Sequence, residues 1–381
     1  MTEEHSILAP SSAARRVACP GSRAMEAQYP TEDSESSREG KLAHAVAARG
    51  IVLTLLNCKQ IERHEVIAEP GEDVTEEMVE GARIYINKVL AVRQQFMGCA
   101  ELHIEEKTPI YSVHPECWGT PDAWIGNHAV GLHVFDYKFG HRYVEVFENW
   151  QLIAYASGAL DSMSFNGSGI PPDFKIHMTI VQPRSYHPAG HVNTWTVTYE
   201  QLKSYIEQLR VAEFTAMQPT APCNPNPECS FCSARHACTA LRQSALTAVD
   251  ISTLNTPDEL TNESLGSELR YLKRAHKLLD ARITGLEEQA LAKLKSGERV
   301  PDFRLEQSSG RTRWKTPEEE VVILGQLYGV DLAKPLTAIT PNQAEKKGIP
   351  RALINQMTET PRGALKLVED NTRKIFGGQN T

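Results

Sequence analysis

The spacing of apolar residues predicts several helices within the first 243 residues of the chain. Apolar positions recur three and four residues apart over 39–56, 75–97, 148–160 and 200–217. That spacing places an apolar stripe along one side of a helix, which can then pack against a core. A shorter helix-and-turn segment is predicted over 6–30, where a Pro-Gly pair ends the turn.

Extended segments lie between these helices. Alternating apolar and polar residues over 101–113 predict a strand, and the sequence at 119–127 indicates a turn followed by a second strand. Three more strands are predicted over 132–140, 175–183 and 195–199. The first part of the chain therefore interleaves predicted helices with predicted strands.

The pattern changes after about residue 243. Apolar residues at helical spacing predict a long helix or a helical hairpin over 257–296. Short strands are predicted over 301–307 and 311–315, and Thr316 with Glu319 has the spacing of a capping box at the start of another helix. We therefore expect two domains, over residues 1–243 and residues 244–381, the second a mainly helical accessory domain of unknown role.

Length and composition are those of an ordinary globular protein of about two domains. The chain has 381 residues, of which 41% are hydrophobic and 23% are charged. It contains no run of about 18 apolar residues and no apolar leader after a basic start. A cytoplasmic protein with no membrane contact is therefore expected.

The net charge of −8 is concentrated in the first predicted domain, which carries 20 basic and 29 acidic residues. Nucleic-acid-binding proteins usually show a basic surface, so this balance is mild grounds against that function. Carboxylates that bind a metal ion, however, count as negative until the ion arrives. The acidic balance is therefore compatible with a metal-binding enzyme.

Two acidic residues and a lysine give the strongest chemical indication in the sequence. Gly119-Thr120-Pro121-Asp122 and Asp136-Tyr137-Lys138 lie on two predicted strands joined by a short turn. Residues two apart on a strand share a face, so Asp136 and Lys138 point the same way, and a hairpin brings Asp122 beside them. Carboxylates suit Mg²⁺ or Mn²⁺, and a lysine suits the orientation of a water that attacks a phosphodiester. An Asp-x-Lys pair on a strand surface is the common alternative.

Three further polar residues accompany this set. His44 lies near the start of a predicted helix, and Gln151 and Tyr155 are four apart on one face of another. In this order, His44, Gly-Thr-Pro-Asp, Asp-Tyr-Lys and Gln-x-x-x-Tyr resemble the signature of RecB-family PD-(D/E)XK nucleases. The resemblance implies an α/β fold with a PD-(D/E)XK nuclease core, in which helices flank a central mixed sheet. Ordinary structural roles for His44, Gln151 and Tyr155 remain open alternatives.

The resemblance also implies a role for each residue. Asp122 and Asp136 are implied as ligands of Mg²⁺ or Mn²⁺, with His44 completing the metal shell and the backbone carbonyl of Tyr137 as a further ligand. Lys138 is implied as the catalytic lysine.

Gln151 and Tyr155 are implied as residues that contact the DNA strand or support the site. Glu105, on the strand before Asp122, is a further candidate for the site, and Glu106 competes with it.

Eight cysteines are present, and half of them lie between Cys223 and Cys238. In a cytoplasmic chain such clustering favours metal or cluster binding over disulfides. Cys229, Cys232 and Cys238 supply three thiolates in a tight loop, and Cys19 can supply a fourth from the far end of the chain. Thiolates suit either Zn²⁺ or an iron–sulfur cluster.

One cysteine before the core and three after it resemble the cluster-bearing RecB-like nucleases such as AddB. That resemblance implies a structural [4Fe–4S] cluster held by Cys19, Cys229, Cys232 and Cys238, which would join the two ends of the nuclease domain. Cys223 is the alternative fourth ligand, in a wholly local site, and Zn²⁺ is the alternative occupant. The remaining cysteines are expected to be ordinary core or surface residues: Cys58, Cys99 and Cys117.

Residues 244–381 lie outside the nuclease resemblance. They contain a basic cluster with one aromatic residue, Arg311, Arg313, Trp314 and Lys315, which can contact a phosphate backbone and stack on a base. An ordinary exposed strand is at least as good an interpretation. The whole chain resembles phage-encoded nucleases of this type, which implies a role in DNA recombination, replication or repair in the host cytoplasm. A recombination or replication protein is then the implied partner of this region.

The expected function is that of a metal-dependent DNA exonuclease. An endonuclease of the same fold is one alternative, and a non-catalytic, cluster-bearing DNA-binding or assembly protein is another. Two converging carboxylates disfavour the latter, because without a metal they repel phosphate. An iron–sulfur redox enzyme is a third alternative, disfavoured because the sequence has no flavin or dinucleotide fingerprint.

Overall fold

The computed structural model describes residues 6–30, 34–57, 59–67, 72–96, 100–163, 169–185, 187–252 and 260–305. The chain divides into two compact units, Met1–Leu305 and Glu306–Thr381, and all described residues belong to the first. The strand predicted over 311–315, the helix predicted from Thr316 and the basic cluster around Trp314 therefore lie outside the described residues, as do Cys58 and Cys99.

The described part of the chain contains eight α-helices and seven β-strands. The helices are α1 (Ala13–Ala18), α2 (Ser22–Glu26), α3 (Glu35–Asn57), α4 (Glu76–Gln95), α5 (Trp150–Ser162), α6 (Tyr199–Ala216), α7 (Thr239–Ser252) and α8 (Asn262–Lys295). The strands are β1 (Leu102–Ile104), β2 (Thr108–Pro109), β3 (Trp118–Gly119), β4 (Ala123–Asn127), β5 (Gly131–Tyr137), β6 (Lys175–Val181) and β7 (Val192–Thr198). Short 3-10 helices lie at Pro10–Ser12, Arg63–Glu65 and Pro227–Phe231.

Five strands form one mixed sheet in the order β1-β4-β5-β6-β7. The β5–β6 pair is parallel, and the other pairs are antiparallel. Every residue of β5 is buried, because helices cover both faces of the sheet at this strand. The protein is thus an α/β fold with a mixed five-stranded sheet flanked by helices.

Alternate residues of β5 enter two separate cores. Leu132 and Val134 pack with residues of α5 and α6 on one face of the sheet. Phe135 and Tyr137 pack with residues of α3 and α4 on the other face. The carboxyl end of β5 therefore lies between the two helical layers, where side chains from both can meet.

The strand predicted over 101–113 is wrong as a single element. Its first part, β1, pairs with β4 in the main sheet, whereas β2 pairs with β3 in a separate two-stranded sheet. The break is at Glu105, whose φ of 49° is in the left-handed region and cannot continue a strand. The strand predicted over 195–199 begins earlier, at Val192, and Thr198 caps α6 through a hydrogen bond to the amide of Gln201.

A helical part follows the sheet. The boundary predicted between residues 243 and 244 lies inside α7, and α8 packs on both α7 and the Pro227–Phe231 helix. Gly285 lets α8 approach the segment between these two helices closely, since a Cβ there would lie 2.7 Å from Arg235 Cγ. Residues 301–305 form turn and irregular backbone, so the strand predicted over 301–307 is absent from its described part. None of the described helices has the length and apolar character needed to cross a membrane.

Candidate metal centre and cysteine cluster

Three side chains from separate parts of the sequence converge at one edge of the sheet. His44 Nδ1 lies 2.9 Å from Asp122 Oδ1 and 4.0 Å from Glu105 Oε1. One ligand atom from each lies within 4.8 Å of the other two. Among the described residues, no other set of three His, Cys, Asp or Glu side chains comes as close. The arrangement can hold a metal ion.

Glu105 reaches this group through an unusual backbone conformation. Its φ of 49° is uncommon for a residue with a side chain, and such strain tends to concentrate at functional sites. Its amide donates a hydrogen bond to the carbonyl of Asp122, at 3.2 Å. Glu106, the competing candidate, lies instead 2.7 Å from His103 Nδ1. The structure thus brings Glu105 to the group, and not Glu106.

Asp136 adds a second buried carboxylate. It is 1% exposed and lies at the end of β5, opposite the Asp122 end of β4 in the hairpin. Its Oδ1 lies 3.0 Å from Lys138 Nζ, while its Oδ2 is buried without a hydrogen-bond partner among the described residues. A buried oxygen left in this state is costly, and a cation would satisfy it.

Lys138 is held from two sides. Besides contacting Asp136, its Nζ donates to Gln151 Oε1 at 2.9 Å, and Gln151 Nε2 donates to the Tyr155 hydroxyl at 3.3 Å. Gln151 is in the first turn of α5, which the side chain of Asn149 caps by accepting hydrogen bonds from two backbone amides. The residues that the sequence indicated are therefore joined in one polar chain.

The N-terminal segment packs against one side of this site. Pro10 approaches Gly119 so closely that a Cβ on the glycine would lie 2.6 Å from Pro10 Cγ and 2.8 Å from Tyr155 Cε1. Arg16 holds the segment in place, because it donates to both carboxylate oxygens of the buried Glu213 and to the carbonyl of Ala9. Gly119 of the Gly-Thr-Pro-Asp motif is thus required by packing.

The crowding of acidic groups shifts their pKa values. Burial and the nearby Asp122 raise the pKa of Glu105 to about 8. Burial also raises the pKa of Asp136, against the opposing effect of Lys138. Burial lowers the pKa of His44, but the charge and hydrogen bond of Asp122 outweigh it and raise that pKa to about 9. Three carboxyl groups thus face two cationic groups, and burial together with like-charge repulsion favours the protonated forms of Glu105 and Asp136.

Tyr137 contributes its backbone amide, which donates to Asp122 Oδ2 at 2.5 Å. Its side chain packs in the core formed with α3 and α4, and the centre of its ring lies 5.5 Å from that of His44. The role of its backbone carbonyl as a metal ligand stays a prediction. Tyr85 was not singled out by the sequence, where it belongs to the apolar stripe of a helix. It is buried beside Tyr137, and its hydroxyl has no hydrogen-bond partner among the described residues.

The clustered cysteines line a second site. One cavity is lined by all five of them: Cys19, Cys223, Cys229, Cys232 and Cys238. Three of the sulfurs accept backbone N–H groups, from Asn224 to Cys19 at 3.2 Å, from Asn226 to Cys229 at 3.4 Å and from Leu241 to Cys238 at 3.5 Å. Amides directed at sulfur stabilise thiolates, which is the state that binds metals.

Cys223 is part of this cavity as well as the four cysteines implied by the resemblance. Its thiol hydrogen-bonds with Cys19 and Cys238, and burial raises its pKa to about 11. Burial raises the pKa of Cys232 to about 12. Without a metal these buried thiols are protonated at neutral pH, so metal binding must displace their protons.

The cavity joins the N-terminal segment to the segment between α6 and α7. The amide of Gly21 donates to the carbonyl of Pro222 at 2.9 Å, and the amide of Ser233 donates to Glu26 Oε1 at 3.4 Å. The remaining described cysteine, Cys117, is buried in the main core with its thiol 3.3 Å from the carbonyl of Leu8. It lies among apolar residues and apart from the cysteine cavity.

A comparison with known protein families gives one match. The model of a family described as "Protein of unknown function (DUF2800)" matches residues 5–374 of the chain. The match spans both the candidate metal centre and the cysteine cavity.

Proposed function

The chain belongs to the DUF2800 family, whose members are described as proteins of unknown function, and from the geometry of its site we propose that it is a metal-dependent nuclease hydrolysing phosphodiester bonds in DNA. The proposed architecture is a PD-(D/E)XK nuclease core, formed by β1, β4, β5 and β6 of the sheet with the helices on its two faces. The order of the motif residues along the chain and the mixed sheet both support this assignment.

The buried Oδ2 of Asp136 is the observation that carries the proposal. This oxygen has no hydrogen-bond partner among the described residues, although Asp122 and Lys138 lie beside it. A structural carboxylate would use both of its oxygens in hydrogen bonds. A carboxylate that awaits a cation would not, and the neighbouring His44 and Glu105 supply further ligand atoms.

The donor set fits a hard divalent cation. Carboxylate oxygens and one imidazole nitrogen are ligands suited to Mg²⁺ or Mn²⁺, and they would come from His44, Asp122 and Asp136, with Glu105 in reach. When bound, the cation supplies polarisation of the scissile phosphate and a lowered pKa for water.

The residues of the chain itself orient the reactants. The Lys138 ammonium, held by Asp136 and Gln151, can hold the attacking water by hydrogen bonding and can stabilise negative charge that develops on the phosphate. Gln151 fixes the lysine in its rotamer, and the Tyr155 hydroxyl holds Gln151 in turn. Such preorganisation reduces the reorganisation needed in the transition state.

For the cysteine cavity we propose a [4Fe–4S] cluster in a structural role. A tetrahedral zinc site with Zn–S bonds of about 2.3 Å brings its sulfurs to about 3.8 Å from one another. Among the described cysteines no three sulfurs lie within 4.8 Å of one another, so the cavity is not a preformed zinc site, and the choice of a cluster rests on the cysteine pattern. The proposed ligands are Cys19, Cys229, Cys232 and Cys238, with Cys223 as a fifth thiol in the same cavity.

Exonuclease action, and a role in phage DNA recombination, replication or repair, rest on the resemblance alone. The test is cleavage of end-labelled linear and circular DNA by anaerobically purified protein with Mg²⁺ or Mn²⁺. We expect wild type to degrade linear DNA and spare circles, and Lys138→Ala to lose at least about 100-fold in rate. Lys203→Ala, on an exposed face of α6, is the matched control and should retain activity. Cleavage that survives in Lys138→Ala would contradict the proposed site.

A further inference from the structure

A groove opens beside the candidate metal centre. Its lining includes Lys138 and Gln151 together with Arg142, Phe147, Trp150 and Phe231. Because Lys138 and Gln151 belong to both the groove and the polar chain of the candidate site, the groove is continuous with that site. A polymer bound at the metal centre can therefore extend into it.

Arg142 and Phe231, which both line the groove, form a cation–π pair. The guanidinium carbon of Arg142 lies 4.3 Å from the centre of the Phe231 ring. The Phe231 side chain is 44% exposed and Phe147 is 37% exposed, so aromatic surface faces the solvent at two points of this lining. A planar cation above a ring is a surface on which a base can stack.

The loop that carries Arg142 is fixed from below. Gln182, only 1% exposed, donates to the carbonyl of Arg142 at 2.6 Å and accepts from the amide of Val144 at 2.8 Å. A buried side chain thus holds the backbone on both sides of Tyr143, whose ring stacks on His187 with 3.7 Å between centres. The loop presents Arg142 in a preset position, which lowers the entropic cost of binding.

The charges that line this groove do not favour binding of a phosphate backbone. Lys138 and Arg142 are its basic residues, whereas its acidic residues are Glu145, Glu148 and Glu228. Glu145 accepts hydrogen bonds from two backbone amides and Glu148 accepts one from the hydroxyl of Tyr205, so both side chains are held in place. Binding here must rely on contacts with bases, and only an unpaired strand exposes the faces of its bases.

We propose that Arg142 and Phe231 form a base-stacking subsite for single-stranded DNA whose scissile phosphate lies at the candidate metal centre. This inference rests on the proposed function and names its substrate as an unpaired strand. Phe231 lies between Cys229 and Cys232, so the structure of the cysteine cavity also sets the position of the stacking ring. Binding of the cluster in the cysteine cavity should therefore affect the affinity for the DNA strand.

The test measures binding of a fluorescein-labelled oligo-dT by anisotropy, with Ca²⁺ in place of Mg²⁺ and full-length protein. A lost stacking contact costs roughly 1–3 kcal/mol per base, about 5- to 150-fold in affinity, so Phe231→Ala should weaken binding within that range. Phe231→Trp should restore it. Arg142→Ala, on a different element, should also weaken binding. Phe214→Ala is the matched control, because Phe214 is 43% exposed on α6 and is not part of the groove lining.

Duplex DNA provides the specificity control. The affinity for duplex DNA should be the same in wild type, Phe231→Ala and Arg142→Ala. The affinity for oligo-dT should fall only weakly with added salt, because few phosphates are neutralised. Unchanged oligo-dT binding in both Phe231→Ala and Arg142→Ala would overturn the subsite. Equal losses on duplex and single strand would also overturn it, since they would indicate a phosphate contact or a general defect.

Hydrolysis of bis(p-nitrophenyl) phosphate separates this inference from the proposed function. That small diester needs the metal centre alone, so Phe231→Ala should retain wild-type rates and Lys138→Ala should not. If wild type hydrolyses neither the small diester nor DNA, the nuclease proposal fails, whereas the anisotropy series still decides whether the stacking subsite exists.

Discussion

Asp122 binds His44 with one oxygen and the backbone amide of Tyr137 with the other, at 2.9 Å and 2.5 Å. Both of its oxygens are therefore partnered, whereas Asp136, on the neighbouring strand, keeps one buried oxygen without a partner among the described residues. The two carboxylates thus differ in what a bound cation would change. Asp122 is fixed by the fold, and Asp136 is the carboxylate that gains most from the ion.

Replacing Asp136 with asparagine should separate catalysis from stability. Burial raises the pKa of Asp136, which means that its charge destabilises the metal-free fold, so Asp136→Asn should melt at or above the wild-type temperature in EDTA. Wild type should gain about 2.7 kcal/mol when Mn²⁺ is at 100 times its Kd, and the variant should lose most of that gain together with DNA cleavage. Differential scanning fluorimetry with and without Mn²⁺ checks this. An equal Mn²⁺ shift in both proteins would show that Asp136 is not a ligand.

Gln151→Ala should impair the use of Lys138 without impairing metal binding. The Lys138 ammonium would lose its 2.9 Å hydrogen bond to Gln151 Oε1 and with it a fixed rotamer. We expect kcat to fall by about 10- to 100-fold, since a net hydrogen bond to a charged group contributes about 1.5–3 kcal/mol. The Mn²⁺ melting shift should persist. Tyr155→Phe removes only the 3.3 Å hydrogen bond between Gln151 and the Tyr155 hydroxyl, so it should reduce kcat less than Gln151→Ala does. A larger loss in Tyr155→Phe than in Gln151→Ala would contradict the proposed hydrogen-bond chain from Tyr155 through Gln151 to Lys138.

Single serine substitutions should identify the thiols that hold the proposed cluster. Iron and acid-labile sulfide, measured on anaerobically purified protein, should drop sharply in Cys19→Ser and Cys232→Ser. Cys117→Ser, in the main core, is the matched control and should retain both. Cys223→Ser should retain the cluster if the four-cysteine set is correct. Loss in Cys223→Ser with retention in Cys19→Ser would assign the local alternative, and zinc without sulfide in wild type would reject the cluster.

His133 should make a destabilising contribution to the fold in mild acid. Burial, with a smaller effect of His177 and Lys88, lowers the pKa of His133 to about 3, well below the 6.5 of a free histidine. The folded protein keeps this ring neutral while the unfolded chain takes up a proton below pH 6.5. The contribution of His133 to the free energy of unfolding should therefore fall, by up to about 1.4 kcal/mol per pH unit, as the pH drops from 6.5 towards 3. Glu105, whose pKa is raised to about 8, contributes in the opposite direction, so the effect of His133 is measured as a difference between two proteins.

Denaturant titrations in EDTA between pH 7.5 and pH 5 test that slope. His133→Gln cannot be protonated, so its free energy of unfolding minus that of wild type should increase as the pH falls over this interval. His141→Gln, at an exposed position, should follow wild type. Parallel pH profiles for wild type and His133→Gln would contradict the prediction.

Local pattern was enough to predict the elements that carry the candidate site. The apolar run that ends in Asp136-Tyr137-Lys138 predicts β5, and helical spacing predicts α5 with Gln151 and Tyr155 on one face. Both signals act over a few residues, so the sequence contains them in full.

Features that depend on tertiary contacts could not be predicted from the sequence. Glu105 and Glu106 are adjacent in sequence, and only the left-handed backbone at Glu105 decides which carboxylate turns inward. The Arg142–Phe231 pair joins residues 89 positions apart, and no local sequence pattern predicts that they are in contact. The proximity of Cys223 to Cys19 likewise depends on packing of the N-terminal segment against the segment that follows α6.

The residues of the cysteine cavity are completed later in translation than those of the candidate metal centre. Every residue of the candidate metal centre lies between His44 and Tyr155, whereas the cavity needs both Cys19 and Cys238. A ribosome that adds about 5–20 residues per second must translate a further 83 codons after Tyr155 before the last thiol exists. The nascent chain thus carries all candidate catalytic side chains for several seconds while the partners of Cys19 are still being made.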